Sequence, residues 1–325
     1  MKLIIIQNHA AALALVMLAL VAVPNAYAGS AGRAGRATTA TAATTVRFPE
    51  QSIGRYKLIR PAADSEDDQI SSEESAAAGT IKVPPGCFLS LNLNYNGSQN
   101  TKIFRQFPPK IIRNLTCKDL EIGDMAVADL CTQQDLRALN LQGVDLTDEG
   151  IKSLSHLKKL RRLNVGDTLI TEKGLAVLRN MPELEHLNLS RLTLGDAVAE
   201  RLQMLKNLHA LDLTGTQLKD KGVMNFPKFD QLLTLVLRRN NITDKCIDSL
   251  RKDKSLTLLD VTDTWVTAIG LRKLRGMPML RTIITRSRKL KPGEKSQLKR
   301  ELGGVRIQDG SREKTVDPEL FAPLH

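Results

Sequence analysis

The segment "LRALNLQGVDLTDEGIKSLSHLKK" at residues 136–159 decides the fold, because its pattern recurs every 24 residues. When the sequence is divided every 24 residues, similar segments align: "LRRLNV" at 160, "LEHLNL" at 184, "LHALDL" at 208, "LLTLVL" at 232 and "LTLLDV" at 256. "FLSLNL" at 88 and "IIRNLTC" around 112 precede them, and "LRTIIT" at 280 follows. Nine units in one register between 88 and 303, without insertion, predict a repeat architecture.

Each unit encodes a short strand, a turn and a short helix. Leu139 and Leu141 alternate like a strand with one buried side. Thr147 and Asp148 then offer a helix N-cap with an acidic first turn. The next apolar residues are spaced by three, on one helix face: Ile151, Leu154 and Leu157. One unit cannot bury its own apolar face, so neighbours must stack, with strands near 90, 115, 139, 163, 187, 211, 235, 259 and 283.

The segments "LNLQGVDLTDEGIKSLSHL", "LNVGDTLITEKGLAVLRNMPEL" and "LDLTGTQLKDKGV" resemble the leucine-rich repeat family. The similarity is to its bacterial, cysteine-poor, ribonuclease-inhibitor-like type, and the arrangement of segments also resembles exported repeat proteins of planctomycete-like bacteria. The resemblance covers roughly two thirds of the chain. It implies an α/β solenoid, a horseshoe or arc of about nine strand–turn–helix units. The parallel sheet would line its concave side, and the usual role would be binding.

The rest of the chain divides by composition. Residues 1–28 have a basic start, an apolar stretch and the small-x-small site "AYA", which is typical of a secretory signal peptide. Residues 29–79 are interpreted as a flexible linker, with an acidic tract at 64–74 and a possible short strand near 53–59. Residues 80–87 are predicted to form an N-terminal cap strand, which turns at Pro84-Pro85-Gly86 into a hairpin with the first repeat strand. Residues 88–303 are predicted to form the repeat domain, with Leu298 and Leu302 closing its last helix, and 304–325 a C-terminal edge and flexible tail. Whether residues 46–61 dock on the repeats is left open.

Charge and composition restrict the partners. The net charge is +12, and a basic protein outside the cytoplasm attracts anionic surfaces, polysaccharide or an acidic partner. Aromatic residues make up only 3% of the chain, and no recognition motif is present, which argues against nucleic acid. We therefore expect a monomeric, exported protein in the periplasm, cell envelope or medium, with no transmembrane span after signal cleavage.

No catalytic, cofactor or metal site is predicted. Cys246 takes a place in its unit that glycine holds in four others, so it is interpreted as a buried, inert thiol. The aspartates that recur every 24 residues are interpreted as caps of their own helices rather than cation ligands: Asp148, Asp196, Asp220 and Asp244. Disulfides between Cys87 and Cys131, or Cys117 and Cys131, are left open. Phosphate loops, zinc spacings and serine motifs are absent from the sequence, which favours a non-enzymatic protein.

The candidate binding residues lie at the strand positions predicted to face the concave side. Counting the first leucine of a unit as position 1, these are positions 3, 5, 7 and 8 and the following turn. They supply Arg162, His186, Arg191, Arg238, Arg239, Asp263, Trp265 and Arg286. Arginines beside the only tryptophan have the composition of an interface hot spot. The hypothesis is a binding module for a protein or an anionic envelope polymer. The alternatives are a structural component of an envelope or extracellular assembly without a discrete ligand, or a secreted effector or adaptor.

Overall fold

The computed structural model describes residues 42–61, 68–286, 290 and 293–310. The chain divides after Ala40, and all the described residues belong to the second unit, Thr41–His325. The expected signal peptide at 1–28 lies outside the described residues, as does the tail from 311 onward.

Parallel strands with a 24-residue period form one side of this unit. Leu139 pairs with Leu163, and Leu163 with Leu187. The strands are β6 Phe88–Leu93, β7 Ile112–Thr116, β8 Ala138–Asn140, β9 Arg162–Asn164, β10 His186–Asn188, β11 Ala210–Asp212, β12 Thr234–Val236, β13 Leu258–Asp260, β14 Thr282–Ile284 and β15 Arg306–Gln308. Consecutive strands are hydrogen-bonded from β6 to β15. A strand therefore lies at each predicted place, and β15 extends the stack by one.

The return segments opposite the sheet are short. The α-helices are α1 Tyr95–Gln99, α2 Asp124–Leu130, α3 Val198–Arg201, α4 Asp220–Met224, α5 Ala268–Arg272 and α6 Glu294–Glu301. The 3₁₀ segments are Thr101–Gln106, Gly150–His156, Gly174–Asn180, Gly195–Ala197, Leu202–Met204 and Ile247–Lys252. A 3₁₀ helix rises about 2.0 Å per residue against about 1.5 Å for an α-helix. It therefore spans the length of a unit with fewer residues, which suits a 24-residue repeat.

Aliphatic side chains fill the space between the sheet and the return segments. Leu163, Leu187, Leu211 and Leu235 are fully buried, one above the other along the stack. Each is covered by its neighbours in the adjacent units, so the core is continuous along the solenoid rather than local to one unit.

The aspartates at position 13 join each unit to the next. Asp124 accepts hydrogen bonds from the amide and the hydroxyl of Thr147, at 2.9 and 2.6 Å. Asp148 accepts the same pair from Thr171, at 2.8 and 2.6 Å. The bonds recur at Asp220 with Thr243 and at Asp244 with Thr267. The interpretation that these aspartates cap their own helices is wrong.

The reason lies in how the return segments begin. The residue before the segment at Gly150 is Glu149, which is already helical (φ −78°, ψ −46°), and Lys173 is similar before Gly174. A capping side chain needs an extended residue at that point. Each aspartate instead reaches the neighbouring unit.

The described part of the expected linker is folded. Strand β2, Gly54–Pro61, pairs antiparallel with β6 and extends the sheet. Strands β3 Asp68–Ile70 and β4 Ser75–Ala76 pair with β2 in turn. Strand β1, Thr44–Arg47, pairs with β5, Thr80–Val83, in a separate sheet. The expectation of a flexible linker is therefore wrong for these residues, which cover the first repeat, whereas the short strand expected near 53–59 is present as β2.

The predicted hairpin at the N-terminal cap is also absent from the described residues. Strand β5 pairs with β1, while β6 pairs with β2 and β7. Between β5 and β6 stand Pro84 and Pro85, which have no amide hydrogen to donate to a hairpin ladder. The cap strand exists where it was predicted, but with a different partner.

A buried ion pair attaches β3 to the repeats. Nη1 of Arg113 lies 2.8 Å from Oδ1 of Asp68, and the two side chains are 8% and 12% exposed. The guanidinium also stacks on Phe88, 3.4 Å from the ring centroid. One residue of the predicted acidic tract is thus a structural part of the cap.

Helix α6 and strand β15 cover the other end. Leu298 and Leu302 are buried, and β15 pairs in parallel with β14. This is the closure that the sequence predicts. None of the described helices is long and apolar enough to cross a membrane.

Candidate functional site

The strand ends determine which side chains face outward. Oδ1 of Asn188 and of Asp260 each accepts the amide hydrogen two residues further on, at 2.8 Å. Position 8 then adopts a left-handed conformation, with φ 62° at Arg191 and 53° at Arg239. Position 5 is consequently buried at Asn188 and Asp260, and position 8 is exposed at Arg191 and Arg239. The prediction that positions 3, 5, 7 and 8 all project outward is therefore wrong for position 5.

Three predicted residues meet at the C-terminal end of the sheet. Nη2 of Arg286 lies 3.1 and 3.2 Å from the two carboxylate oxygens of Asp263. Nε of Arg239 lies 3.8 Å from Oδ2 of the same carboxylate. The arginine side chains remain 49% exposed at Arg239 and 39% at Arg286. We call Arg239, Asp263 and Arg286 the arginine cluster. It has two guanidinium groups and one carboxylate.

Arg238 does not join this cluster. Its side chain is only 11% exposed, with Nε 4.0 Å from Oδ2 of the fully buried Asp260. Burial raises the pKa of the neighbouring Asp212 to about 6; Asp260 adds to this, and Arg238 opposes it. The prediction that Arg238 projects outward is therefore wrong. The positive charge of Arg238 compensates the buried carboxylate of Asp260, because position 7 of one unit packs against position 5 of the next.

Trp265 lies two residues after Asp263, on the edge of the sheet face. Its amide donates to the carbonyl oxygen of Ile242 at 3.0 Å, which fixes the backbone to the preceding unit. The side chain is 56% exposed, whereas its neighbours Thr264 and Val266 are buried. The backbone is thus held rigidly while the indole is left at the surface.

The other predicted residues lie on earlier strands. Nη1 of Arg191 is paired with Oδ2 of Asp167 at 2.8 Å, and both are exposed. Arg191 is two units before Arg239, or roughly 10 Å at the usual spacing of strands. Arg162 and His186 begin β9 and β10 side by side and are half-buried. The predicted set therefore forms two groups along the sheet rather than one site.

One group was not predicted as a unit. Glu185, His186 and His209 bring their ligand atoms within 4.8 Å of one another, the only such group of three or more found among the described residues. The sequence does contain a signal, since His209 follows Glu185 by 24 residues and therefore lies beside it on the next strand. Histidine and carboxylate together are metal ligands.

Three of the four cysteines, Cys117, Cys131 and Cys246, are buried, and Cys87 is half-buried. Cys246 is fully buried, and burial together with the adjacent Asp220 raises the pKa of its thiol. This confirms the interpretation of a buried, unreactive thiol. All four cysteines are free, so neither of the disulfides left open is formed. Burial raises the pKa of Cys131 to about 12 and also raises that of Cys117.

Comparisons with known proteins agree with this architecture. Residues 132–155 and 205–226 match the family described as Leucine Rich repeat. No curated protein was found to match the chain. Among the similar solved structures is an internalin from Listeria monocytogenes strain 4b F2365, with 20% sequence identity and a TM-score of 0.50. The match covers 69% of this chain and 59% of the internalin, so the chain spans less than two thirds of that protein. At this identity the likeness concerns the fold alone. The matches and the 24-residue strand stack together support a leucine-rich repeat protein with an α/β solenoid fold.

Proposed function

We propose that the chain is an exported protein-binding module, whose partner binds the arginine cluster and Trp265. The proposal assigns it no catalytic step. We also propose that its repeats, about nine in number, are of the bacterial ribonuclease-inhibitor-like type. The subtype rests on the repeat segments themselves, such as "LNLQGVDLTDEGIKSLSHL" at residues 139–157. Export rests on the signal-like sequence at 1–28, and an origin in a planctomycete-like bacterium rests on the order of the segments.

The observation that carries the proposal is the exposed indole of Trp265, two residues along the chain from Asp263 of the cluster. Tryptophan has the largest apolar surface of any side chain, and folding normally buries most of it. Here it is 56% exposed in a chain with a single tryptophan. Tryptophan and arginine are the residues most enriched at the energetic centre of interfaces. A partner that covers the indole would gain the apolar burial that folding does not provide.

Backbone conformation supports the same conclusion. Gly143 and Gly215 hold position 8 of their units with positive φ, where glycine is unstrained. Arg191 and Arg239 hold that position with φ 62° and 53°. A left-handed residue other than glycine costs about 1–2 kcal/mol. Asp119, Asp167 and Asp263 hold the same position with positive φ, so backbone preference alone does not select the residue there, and a binding role accounts for the arginines.

The charges favour an acidic protein over a plain polyanion. One carboxylate of the cluster already lies between two arginines, so its net charge is only one positive unit. A partner carboxylate could bind a guanidinium through two parallel hydrogen bonds. A polyanion would have to displace Asp263 or tolerate its repulsion. Apolar area next to the cluster fits a protein surface better than a sugar or phosphate chain.

The test compares capture by the protein and its variants. Trp265→Ala combined with Arg239→Glu should abolish capture of the partner from an envelope fraction, at low and at moderate salt. Arg239→Glu alone should weaken it more at low salt, since salt screens the exposed charges. Captured material is identified by mass spectrometry, purified, and titrated against each variant.

Matched controls carry equivalent changes on the return side. Met204→Ala removes an exposed apolar side chain, and Arg179→Glu reverses an exposed charge. Both should bind like the unmodified protein. Capture of a polymer in place of a protein would support the anionic-polymer alternative. Equal capture by all variants would favour the structural component without a discrete ligand.

A further inference from the structure

Glu185, His186 and His209 form a compact group at the start of two neighbouring strands. Glu185 and His209 are at position 2 of successive units, and His186 begins β10. All three side chains are half-buried, so they lie at the surface of the sheet without being fully exposed. The two imidazole rings are 6.3 Å apart between centroids. We call these residues the His–Glu cluster. It is separate from the arginine cluster and from Trp265.

The distances suit a single ion. Ligand atoms about 2.1 Å from a tetrahedral zinc ion lie about 3.4 Å from one another. The three ligand atoms of the His–Glu cluster already lie within 4.8 Å of one another. Small side-chain rotations, without backbone movement, would bring them to coordination distance. The strands hold the backbone, because His186 pairs with Ala210, the residue after His209.

Neighbouring side chains orient two of the three groups. Both Nε and Nη2 of Arg161 contact Oε1 of Glu185, at 2.7 and 2.5 Å. Neither of these two contacts involves the second carboxylate oxygen, Oε2. Nε2 of His209 lies 3.0 Å from Oε1 of Gln231. When Nε2 donates to that oxygen, Nδ1 carries the lone pair that binds a metal. Such outer contacts are the usual means of fixing a ligand's orientation.

We propose that Glu185, His186 and His209 bind a divalent transition-metal ion of the zinc class. Two imidazoles and one carboxylate match the preference of zinc for nitrogen and oxygen ligands. Three protein ligands leave one coordination position for water or for a group from a partner. The positive charge of Arg161 is already compensated by Glu185, but it lowers the affinity relative to a site without it.

The experiment measures Zn²⁺ binding to the purified protein by competition with a chromophoric chelator. We expect one ion per chain. His186→Ala and His209→Ala should each weaken binding about ten-fold or more. Glu185→Gln should weaken it in the same direction. His156→Ala, which removes a histidine from the return segment Gly150–His156, is the matched control and should bind like the unmodified protein.

Cobalt distinguishes this site from the cysteines. Co²⁺ bound by histidine and carboxylate gives weak visible bands, whereas thiolate ligands add intense absorption in the near ultraviolet. We expect the weak bands alone, and we expect His209→Ala to remove them. Circular dichroism confirms that each variant is folded. If His209→Ala does not fold, His209→Gln is used in its place, because glutamine retains a polar side chain at this half-buried position.

Two results would overturn the proposal. One is a Zn²⁺ affinity that is the same in His209→Ala, in His209→Gln and in the unmodified protein. The other is a cobalt spectrum dominated by thiolate absorption, which would place the ion at a cysteine. A loss of Zn²⁺ binding in the His156→Ala control would also count against it, since that residue is not part of the His–Glu cluster.

Discussion

Asp253 shows how a single residue can depart from its repeat. It takes position 22 of its unit, where other units bury Leu157, Met181 and Leu205. Asp253 is fully buried as well, and its Oδ1 accepts the amide hydrogen of Phe229 at 2.9 Å. Burial raises the pKa of its carboxyl to about 6, although the hydrogen bond from Phe229 and nearby lysines oppose the change. The carboxyl therefore gains a proton more readily in the folded protein than in the unfolded chain.

This shift gives a signed prediction for Asp253→Asn. An acid with a raised pKa in the folded state stabilises the fold fully below its unfolded pKa, and that contribution is lost as pH rises through the folded pKa. Relative to Asp253→Asn, the unmodified protein should lose stability between about pH 4 and pH 6, by about 1.4 kcal/mol per pH unit. Urea unfolding across pH 3.5 to 7 measures the difference. Groups common to both proteins cancel.

Asp230→Asn is the contrasting control for this residue. Asp230 is exposed, and its hydrogen bond with Lys228 lowers the pKa of its carboxyl. The pH dependence of stability therefore has the opposite sign, and any stabilisation of the fold by the Asp230 carboxylate should be lost as pH falls. A difference between the unmodified protein and Asp253→Asn that does not change from pH 4 to pH 7 would show that Asp253 has an ordinary pKa.

The burial of a residue could be predicted where it follows the pattern of the repeat, but not where it depends on a residue in another unit. The burial of Cys246 follows from glycine at the same place in Gly150, Gly174, Gly222 and Gly270. The burial of Arg238 does not, because it depends on Asp260 in the next unit. The only signal in the sequence was the aspartate at position 5, Asp260, where other units usually have asparagine. A buried aspartate at that place requires a positive charge beside it, which Arg238 supplies.

At the scale of the element, the hydrogen bonds between units should contribute measurably to stability. The carboxylate of Asp148 accepts from the hydroxyl and amide of Thr171 and from the amide of Gly174, the last at 3.1 Å. Burial alone would raise the pKa of Asp148, but these hydrogen bonds lower it below its ordinary value. Asp148→Ala leaves two amide hydrogens without their acceptor, which costs about 1–3 kcal/mol. Urea unfolding monitored by circular dichroism measures the loss.

Glu172→Ala is the matched control for that substitution. Glu172 takes position 13 in the following unit, and among the described residues only its backbone oxygen, not its carboxylate, is found to accept a hydrogen bond from the next unit. Its removal should therefore change the free energy of unfolding little. Equal losses for Asp148→Ala and Glu172→Ala would show that the interunit bonds contribute nothing specific.

These bonds also show where sequence reasoning about elements reaches its limit. The recurrence of Thr and Asp at positions 12 and 13 was visible, and a local cap was the simplest explanation. The threonine does cap locally, since Thr267 accepts the amide hydrogen of Ile269 at the start of its own helix. The aspartate instead bonds to a residue 23 further on, as Asp220 does with Thr243. Periodicity shows which residues recur but not whether a bond closes within one unit or between two.

At the scale of the whole molecule, the solenoid was predictable, whereas the strand pairing and packing of its N-terminal cap were not. Every strand from β6 to β14 follows from one period, because stacked units must bury the same positions. The cap is built from non-repeated sequence with polar and acidic composition. Its order comes from distant contacts, such as Phe48 against Phe107 at 5.3 Å between ring centroids and Asp68 with Arg113. Composition describes a segment in isolation and does not include such partners.

The cap leads to the final prediction, which concerns Asp68→Ala. This substitution leaves Arg113 buried without its closest carboxylate, since Asp135 is 4.0 Å away. Breaking a buried ion pair by removing one partner costs about 3–5 kcal/mol. We expect β2 and β3 to detach, which exposes the edge of β6 and the apolar end of the first repeat. Limited proteolysis should then cleave near 54–76 at a protease concentration that leaves the unmodified protein intact.

Glu73→Ala is the control, because Glu73 is exposed in the same acidic tract. It should resist the protease like the unmodified protein. Each unit of a solenoid is stabilised by its contacts with the neighbouring units. Loss of the cap should therefore also lower the urea concentration at which half of the repeat domain is unfolded. If Asp68→Ala and Glu73→Ala gave the same cleavage and the same midpoint, the segment 42–79 would be attached to the repeats without stabilising them, and the solenoid would begin at β6.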